Sequence, residues 1–355
     1  MTTTAPTLVD ILPAHRFDEA ALAAWLRDNI EGFDGPIAIR QFQGGQSNPT
    51  FLLTAAAGRR CVLRKKPPGT LLAKAHQVER EFRVMGALRG TAVPVPAMLA
   101  LCEDETVIGT AFYVMAFVDG RAFDHPALRD APHEERRRLH ESAVDTLAAL
   151  HSVEPAAVGL GDFGPGGNYV LRQVQRWSRQ YDASLIDGPA PSMAWLRDWL
   201  TERADVPEER TIVHGDYRFG NLLFEKTFPG VAAVLDWELA TLGHPLSDLA
   251  YYCMPYRIPA DRPNERGVQG LDLAGMNLPT ETETLDRYCR RVGRTLPGNW
   301  PVFLALSFFR LAAIIQGVYA RAVQGNASDG NALKMGARVA MLAEAGVTIA
   351  RESQL

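Results

Sequence analysis

His214-Gly215-Asp216-Tyr217-Arg218-Phe219-Gly220-Asn221 is followed at a distance by Val234-Leu235-Asp236-Trp237-Glu238. Apolar runs frame both stretches: Ile212-Val213 precedes the first, and Leu222-Phe224 and Val231-Leu235 lie between the two. Asp216 and Asn221 stand five apart, which suits one short loop, and Asp236 follows 15 residues after Asn221 at the end of a second apolar strand. A lone Asp or Asn between apolar runs ordinarily makes a polar turn. Two carboxylates and an amide in this order fit a narrower chemistry. A short carboxylate such as Asp216 can accept the proton of an attacking hydroxyl. Asn221 and Asp236 offer hard oxygen donors, and two protein donors leave positions for phosphate oxygens and water around magnesium.

The same order resembles the protein-kinase pattern, H-R-D-x-x-x-x-N with a later metal-binding Asp. Gly215 here replaces the Arg, and Trp237-Glu238 replace the usual Phe-Gly. By that variant the chain resembles the aminoglycoside phosphotransferase-like family, whose members have a kinase-like fold and phosphorylate small molecules. The resemblance implies Asp216 as catalytic base, Asn221 and Asp236 as metal ligands, and ATP and Mg2+ as cofactors. It implies that His214 braces the loop backbone and does not exchange protons. Asp248, in Leu246-Ser247-Asp248-Leu249-Ala250, resembles a family Asp that holds the same loop from the following helix. Glu238 either approaches a second magnesium or faces solvent. The family often reads G-D-P before that helix, where this chain has Gly243-His244-Pro245.

Composition narrows the partners. The net charge of −4 favours neither nucleic acid nor an anionic membrane as the main partner. Four scattered cysteines without a C-x-x-C pair fit reduced thiols, hence a cytoplasmic location, better than disulfides or a zinc site. Met1 to Pro13 lack the basic and apolar segments of a secretory signal. Trp300 to Ala320 is apolar enough to raise the question of a membrane span. Arg310 and Gln316 lie inside it, and a buried helix is the better reading. Nothing in the sequence decides between a monomer and a homodimer.

Periodicity predicts an α+β chain. A helix over 18–30 precedes short strands at Ile37-Phe42, Thr50-Ala55 and Cys61-Arg64, with turns at Gly44-Gly45 and Gly58. A helix over 70–89 and strands at Met98-Cys102 and Ala111-Phe117 complete a small antiparallel sheet carrying one main helix. Helices are then expected over 134–151, 169–183, 191–203, 246–254, 280–292, 299–323 and 331–349, with Thr280 and Glu283 forming a capping box. By analogy with kinases this reads as a two-lobe fold: residues 1–117 a nucleotide-binding lobe, 118–355 a mainly helical catalytic and acceptor-binding lobe.

Within the first lobe, Gln43-Gly44-Gly45-Gln46-Ser47-Asn48-Pro49-Thr50 sits between two strands, where glycines let backbone N–H groups approach phosphate. It looks like the family's nucleotide loop, with Gly44, Gly45, Ser47 and Asn48 as contacts; an ordinary hairpin turn is the plainer alternative. Cys61-Val62-Leu63-Arg64 resembles the kinase V-A-I-K strand, with Arg in place of Lys. Alternation sets Arg64 on one face with Val62 and Lys65 on the other. Arg64 is the candidate for the phosphates, Lys65 the alternative, and Glu81 the anion that steadies the cation. In Tyr113-Val114-Met115-Ala116-Phe117-Val118-Asp119-Gly120 the resemblance implies a hinge whose backbone at Ala116 and Val118 meets adenine.

The acceptor side is less defined. Arg218 lies two residues past Asp216, suiting an acceptor with a carboxylate or phosphate, or a salt bridge to a neighbouring acid. Trp177, Trp195 and Trp199 either line a pocket or pack in the core. Five stretches, Arg64-Lys65-Lys66-Pro67-Pro68-Gly69, Arg80-Glu81-Phe82, Val93-Pro94-Val95-Pro96, Phe112-Tyr113-Val114-Met115 and Thr241-Leu242-Gly243-His244-Pro245, are similar to the kinase-like domain attached to certain acyl-CoA dehydrogenases. That subgroup implies an acceptor such as a hydroxyacyl group or its CoA thioester. The competing readings are a catalytically weak nucleotide-binding module, an aminoglycoside- or other amino-alcohol or sugar kinase, and a metal-dependent phosphohydrolase using His214 and the Asp residues.

Overall fold

The computed structural model describes residues 7–43, 48–67, 77–186, 188–262, 265–323 and 336–353. In chain order the strands and helices begin with β1 (Leu8–Val9), α1 (Glu19–Asn29), β2 (Ile37–Phe42), β3 (Thr50–Ala55), β4 (Arg60–Lys65), α2 (Val78–Leu88), β5 (Met98–Cys102), β6 (Phe112–Ala116) and β7 (Arg121–Ala122). They continue with α3 (Arg136–His151), α4 (Tyr169–Ala183), α5 (Pro191–Glu202), β8 (Thr211–Val213), β9 (Leu222–Phe224), β10 (Val231–Val234) and β11 (Thr241–Gly243). The last four are α6 (Leu246–Cys253), α7 (Glu281–Val292), α8 (Trp300–Val323) and α9 (Gly336–Glu352). The expected elements are present with shifted ends: α2 begins at Val78, and the earlier part of the helix expected from residue 70 lies outside the described residues.

The elements form two compact units. The first takes residues 1–149, 156–160 and 219–240, and the second takes the remainder, so the units do not divide at residue 117. The physical reason is pairing far along the chain. β9 pairs with β7 and β10, and the Val234 N–H donates to the Pro94 carbonyl at 2.9 Å, which ties residues 219–240 to the first unit.

In the first unit an antiparallel sheet runs β1-β2-β3-β4-β6-β5. Alternation sends Phe51, Leu53, Cys61, Leu63, Phe112 and Val114 to one face, where they pack with Leu22 and Leu26 of α1. The Asp18 side chain caps α1 by accepting from the N–H groups of Ala20 and Ala21. The opposite face carries Val62, Arg64, Tyr113 and Met115, and α2 lies over it, with the Phe82 and Tyr113 rings 6.3 Å apart. Register alone therefore decides which basic residue faces α2.

The second unit is mainly helical, built around α8, which is buried on nearly every side and packs against α4, α6 and α9. This helix is long and apolar enough to cross a membrane, yet 78% of its apolar window is buried inside the protein. It serves as a core helix. Helix α9 approaches α5 at Gly346, where a Cβ would come within 2.6 Å of Leu196. Trp177 and Trp199 are core residues, and Trp195 stacks on Trp199 with centroids 6.5 Å apart. The capping box at Thr280 and Glu283 forms as expected.

Candidate functional site

Arg64 is the hub of a polar network in the first unit. Its Nη2 lies 2.6 Å from Asp236 Oδ1 and 3.7 Å from Glu238 Oε2. Its Nε lies 3.1 Å from Glu81 Oε2, at ion-pair distance but out of line for a hydrogen bond. Burial opposes the Arg64 charge, but Glu81, Tyr113, Asp236 and Glu238 together outweigh it and raise its pKa. Glu81 is 1% exposed. It accepts from Asn48 Nδ2 at 2.8 Å and from the Tyr113 hydroxyl at 3.1 Å. Burial raises the Glu81 carboxyl, and Arg64 with those two donors pulls it back. Lys65 points to the other face, where it is buried beside the Phe17 ring and desolvation lowers its pKa. Of the two adjacent cations, only Arg64 joins the acidic cluster. Glu79 pairs with Lys66 instead.

Asp236 follows β10 in a left-handed conformation, φ +65°, a region few residues other than glycine, Asn and Asp enter readily. Trp237 anchors it, being buried and donating its indole N–H to the Val234 carbonyl at 3.0 Å. Asn221 ends a short 3-10 turn, is 5% exposed, and accepts from the Leu235 N–H at 2.9 Å through its backbone carbonyl. The Ala116 N–H donates to the Ala97 carbonyl at 2.8 Å, so that donor is already engaged; Val118 follows the end of β6. Gly44, Gly45 and Ser47 lie outside the described residues.

The second unit carries the other half of the quoted loop, up to Arg218. Asp248 on α6 accepts from the N–H groups of His214 at 2.6 Å and Gly215 at 2.8 Å. Burial alone would raise this carboxyl, yet the hydrogen bond from His151 and the His214 N–H hold it below its ordinary value. His214 is fully buried, and its Nδ1 accepts from the Asp216 N–H at 3.1 Å, which makes it a backbone support. Gly215 sits at φ +83°, which explains glycine at this point of the loop. Its carbonyl accepts from Arg310, the buried cation of α8.

The Asp216 carboxylate is partly exposed and meets two donors, Arg218 Nε at 3.3 Å and the Tyr251 hydroxyl. Burial and then the Asp216 charge push Tyr251 well above its ordinary pKa, so it stays a donor. Around it stand more cations. The Arg310 guanidinium lies 5.1 Å from the Tyr251 ring centroid and 5.3 Å from that of Trp177, and Arg176 lies 4.9 Å from Trp177. Arg310 Nε is buried with no hydrogen-bond partner. The sequence alone assigns neither Tyr251 nor Arg310 to the site. Arg310 had a signal, being the one Arg inside the apolar run 300–320, whereas Tyr251 carries none.

The donor set suits a hard cation. Asn221 and Asp236 are both oxygen donors, and no group of three His, Cys, Asp or Glu able to hold a metal occurs among the described residues. Two such donors would leave positions for substrate oxygens and water around a bound ion.

Comparison with known proteins shows the family and the fold. The model of the family described as "Phosphotransferase enzyme family" matches residues 38–296. The probable acyl-CoA dehydrogenase IBR3 of Arabidopsis thaliana is 42% identical over 366 residues, covering 97% of this chain but 44% of that protein. The chain thus spans less than half the length of that curated relative. A crystal structure of a candidate aminoglycoside phosphotransferase from Ralstonia eutropha superposes with TM-score 0.84 at 46% identity, covering 95% of this chain and 99% of the other. The phosphotransferase APH(4)-Ia, crystallised with AMP-PNP and hygromycin B, has TM-score 0.60 at 16% identity over 93% and 98% of the two chains, a likeness of fold. The fold is α+β and kinase-like.

Proposed function

Because the chain belongs to the phosphotransferase enzyme family, and is a phosphotransferase acting on a hydroxyl group, we propose that it moves the γ-phosphate of ATP to an anion-bearing small alcohol. The observation that carries the nucleotide half is the buried network of Arg64, Glu81 and Asp236. A guanidinium fixed by an acid on a neighbouring helix suits triphosphate recognition, and its fork can take phosphate oxygens in pairs. Gly44, Gly45, Ser47 and Asn48 would complete the phosphate contacts, and the Ala116 carbonyl with the Val118 N–H would meet the base. Magnesium, held by Asn221 and Asp236, would neutralise the triphosphate. Asp216 would accept the proton of the attacking hydroxyl, with Tyr251 and Arg218 fixing its carboxylate. On this reading residues 1–117 make most of the nucleotide contacts, and 118–355 supply Val118, the metal ligands, the chemistry and the acceptor site.

The acceptor is the finer part of the proposal. Arg176, Arg218 and Arg310 give the neighbourhood of Asp216 a cationic character, which repels polycationic aminoglycosides and suits a carboxylate or phosphate. A hydroxyacyl group or its CoA thioester meets that requirement, and kinship with acyl-CoA dehydrogenase-linked chains supports it. Four unpaired, buried cysteines fit a reducing compartment such as the cytoplasm. The test is incubation with ATP, magnesium and a panel of hydroxy acids, hydroxyacyl-CoAs, amino sugars and choline-like alcohols. Phosphorylation within the hydroxyacyl group is the expected result. Phosphorylation of amines or sugars alone would overturn the acceptor assignment, and no phosphorylation by an ATP-binding protein would favour a binding module.

A further inference from the structure

The second unit contains a cavity of about 960 Å³ that the phosphoryl-transfer reading does not use. Its walls come from the end of α3, the start of β8, Pro245 and the C-terminal turn of α7. The volume falls in the range of small-molecule sites, roughly 300–1,000 Å³. Three features give it chemistry. Arg290 and Arg294 against Glu209 leave a net positive lining. Arg294 is engaged in a two-pronged pair with Glu209, both contacts 2.7 Å, while Arg290 is exposed and makes no ion pair among the described residues. Thr211 Oγ1 is buried at the cavity wall without a hydrogen-bond partner. Buried hydroxyls are nearly always satisfied, and a rotation of the Thr211 side chain toward the cavity would let a ligand supply the missing partner.

The cavity also touches the catalytic loop through a short relay. The Tyr288 hydroxyl lies 2.8 Å from His151 Nδ1, and His151 Nε2 lies 3.4 Å from Asp248 Oδ2. A His151 tautomer protonated on Nε2 satisfies both contacts. Asp248 in turn holds the backbone of His214 and Gly215, next to Asp216. A ligand that competes for the Tyr288 hydroxyl thus acts on the support of the loop across four hydrogen-bonded or ion-paired groups, all in one compact unit.

We propose that this cavity is an effector site for a small organic anion, a carboxylate or a phosphate ester, that binds through Arg290, Arg294 and Thr211 and alters turnover through Tyr288, His151 and Asp248. The anion is drawn by the surplus cation, Thr211 Oγ1 meets a polar group of its body, and Tyr288 and Val292 provide apolar wall. The binding half is independent of the phosphotransferase reading; the coupling half rests on it.

The test uses the full chain, with succinate and inorganic phosphate as probes, saturating ADP being present in the calorimeter to keep phosphate from the nucleotide site. Saturable binding of succinate alone identifies the carboxylate class, of phosphate alone the phosphate class, and of both the shared anion chemistry. Arg290→Glu and Thr211→Val are expected to weaken binding by about tenfold each while leaving the melting temperature and basal ATP turnover at wild-type values. No saturable binding by either probe, or wild-type affinity in both variants, overturns the site. For the coupling, the bound probe is expected to change ATP turnover by about fivefold in the wild type and not in Tyr288→Phe, which retains binding. Binding without any change in wild-type turnover overturns the relay and leaves the phosphotransferase assignment untouched.

Discussion

The Asp236 carboxylate lies 2.6 Å from the Arg64 guanidinium, in a residue held at φ +65°. One cation thereby joins an acid after β10 to Glu81, an acid that is 1% exposed on α2. Removing one partner of such a buried pair leaves the other charge stranded, so Arg64→Ala is expected to cost about 3 kcal/mol or more. Arg64→Lys keeps the charge without the fork that spans two acids and should lose less. Urea unfolding checks both. A wild-type midpoint for Arg64→Ala would mean that solvent satisfies Glu81 on its own.

Much of this network was legible. Strand alternation alone separates Arg64 from Lys65, because adjacent side chains must point to opposite faces. Asp248 was readable as a loop brace only through its resemblance to a family Asp, since its place in the first turn of α6 suits any helix-start carboxylate. The rest depends on contacts that no local pattern encodes. Strands β1, β7 and β11 have two or three residues, too few to display a period of two. The joining of residues 219–240 to the first unit follows from β9 pairing with β7, across a hundred residues of chain. Tyr251 reaches Asp216 only because α6 packs where it does.

Asp248→Asn replaces one acceptor oxygen by a donor that faces the N–H groups of His214 and Gly215. The expected stability loss is about 1–3 kcal/mol, the usual range for a buried unsatisfied group. Turnover should fall while ATP affinity stays near the wild-type value, because the loop moves and the Arg64 network does not. Comparing kcat with nucleotide Kd separates these effects. Equal losses in both would assign Asp248 to global folding alone.

His140 and His244 predict the acid response. Burial lowers each from 6.5 to about 4, and His140 Nε2 donates to the Pro126 carbonyl at 2.8 Å. Between pH 6.5 and 4 the unfolded chain therefore binds protons that the folded chain refuses, and stability falls as pH drops through that window. The loss approaches about 3 kcal/mol per histidine at the acid end. Melting temperatures measured across the window should decline more steeply in the wild type than in His140→Gln. Parallel curves would mean that His140 takes up its proton without unfolding.

Asp236→Ala removes the carboxylate and frees Arg64 from one of its partners. Magnesium-dependent binding of ATP is expected to be lost, whereas metal-free nucleotide binding through Arg64 should persist. Titration with and without magnesium distinguishes the two. Unchanged magnesium dependence would transfer the metal to other oxygens, with Glu238 as the next acid on the same segment.

Asp216→Asn isolates proton acceptance from geometry. The amide oxygen can still accept from Arg218 Nε, and Asp248 still holds the backbone of His214 and Gly215, so the loop should keep its conformation. Only basicity is lost. Turnover is then expected to fall by about a hundredfold or more, the scale of a missing general base, with ATP affinity nearly intact. Pre-steady-state mixing with a hydroxyacyl acceptor reads the chemical step directly. A variant that phosphorylates at the wild-type rate would show that the hydroxyl loses its proton elsewhere, with the cationic neighbourhood of Arg310 and Arg176 lowering the pKa of the acceptor itself.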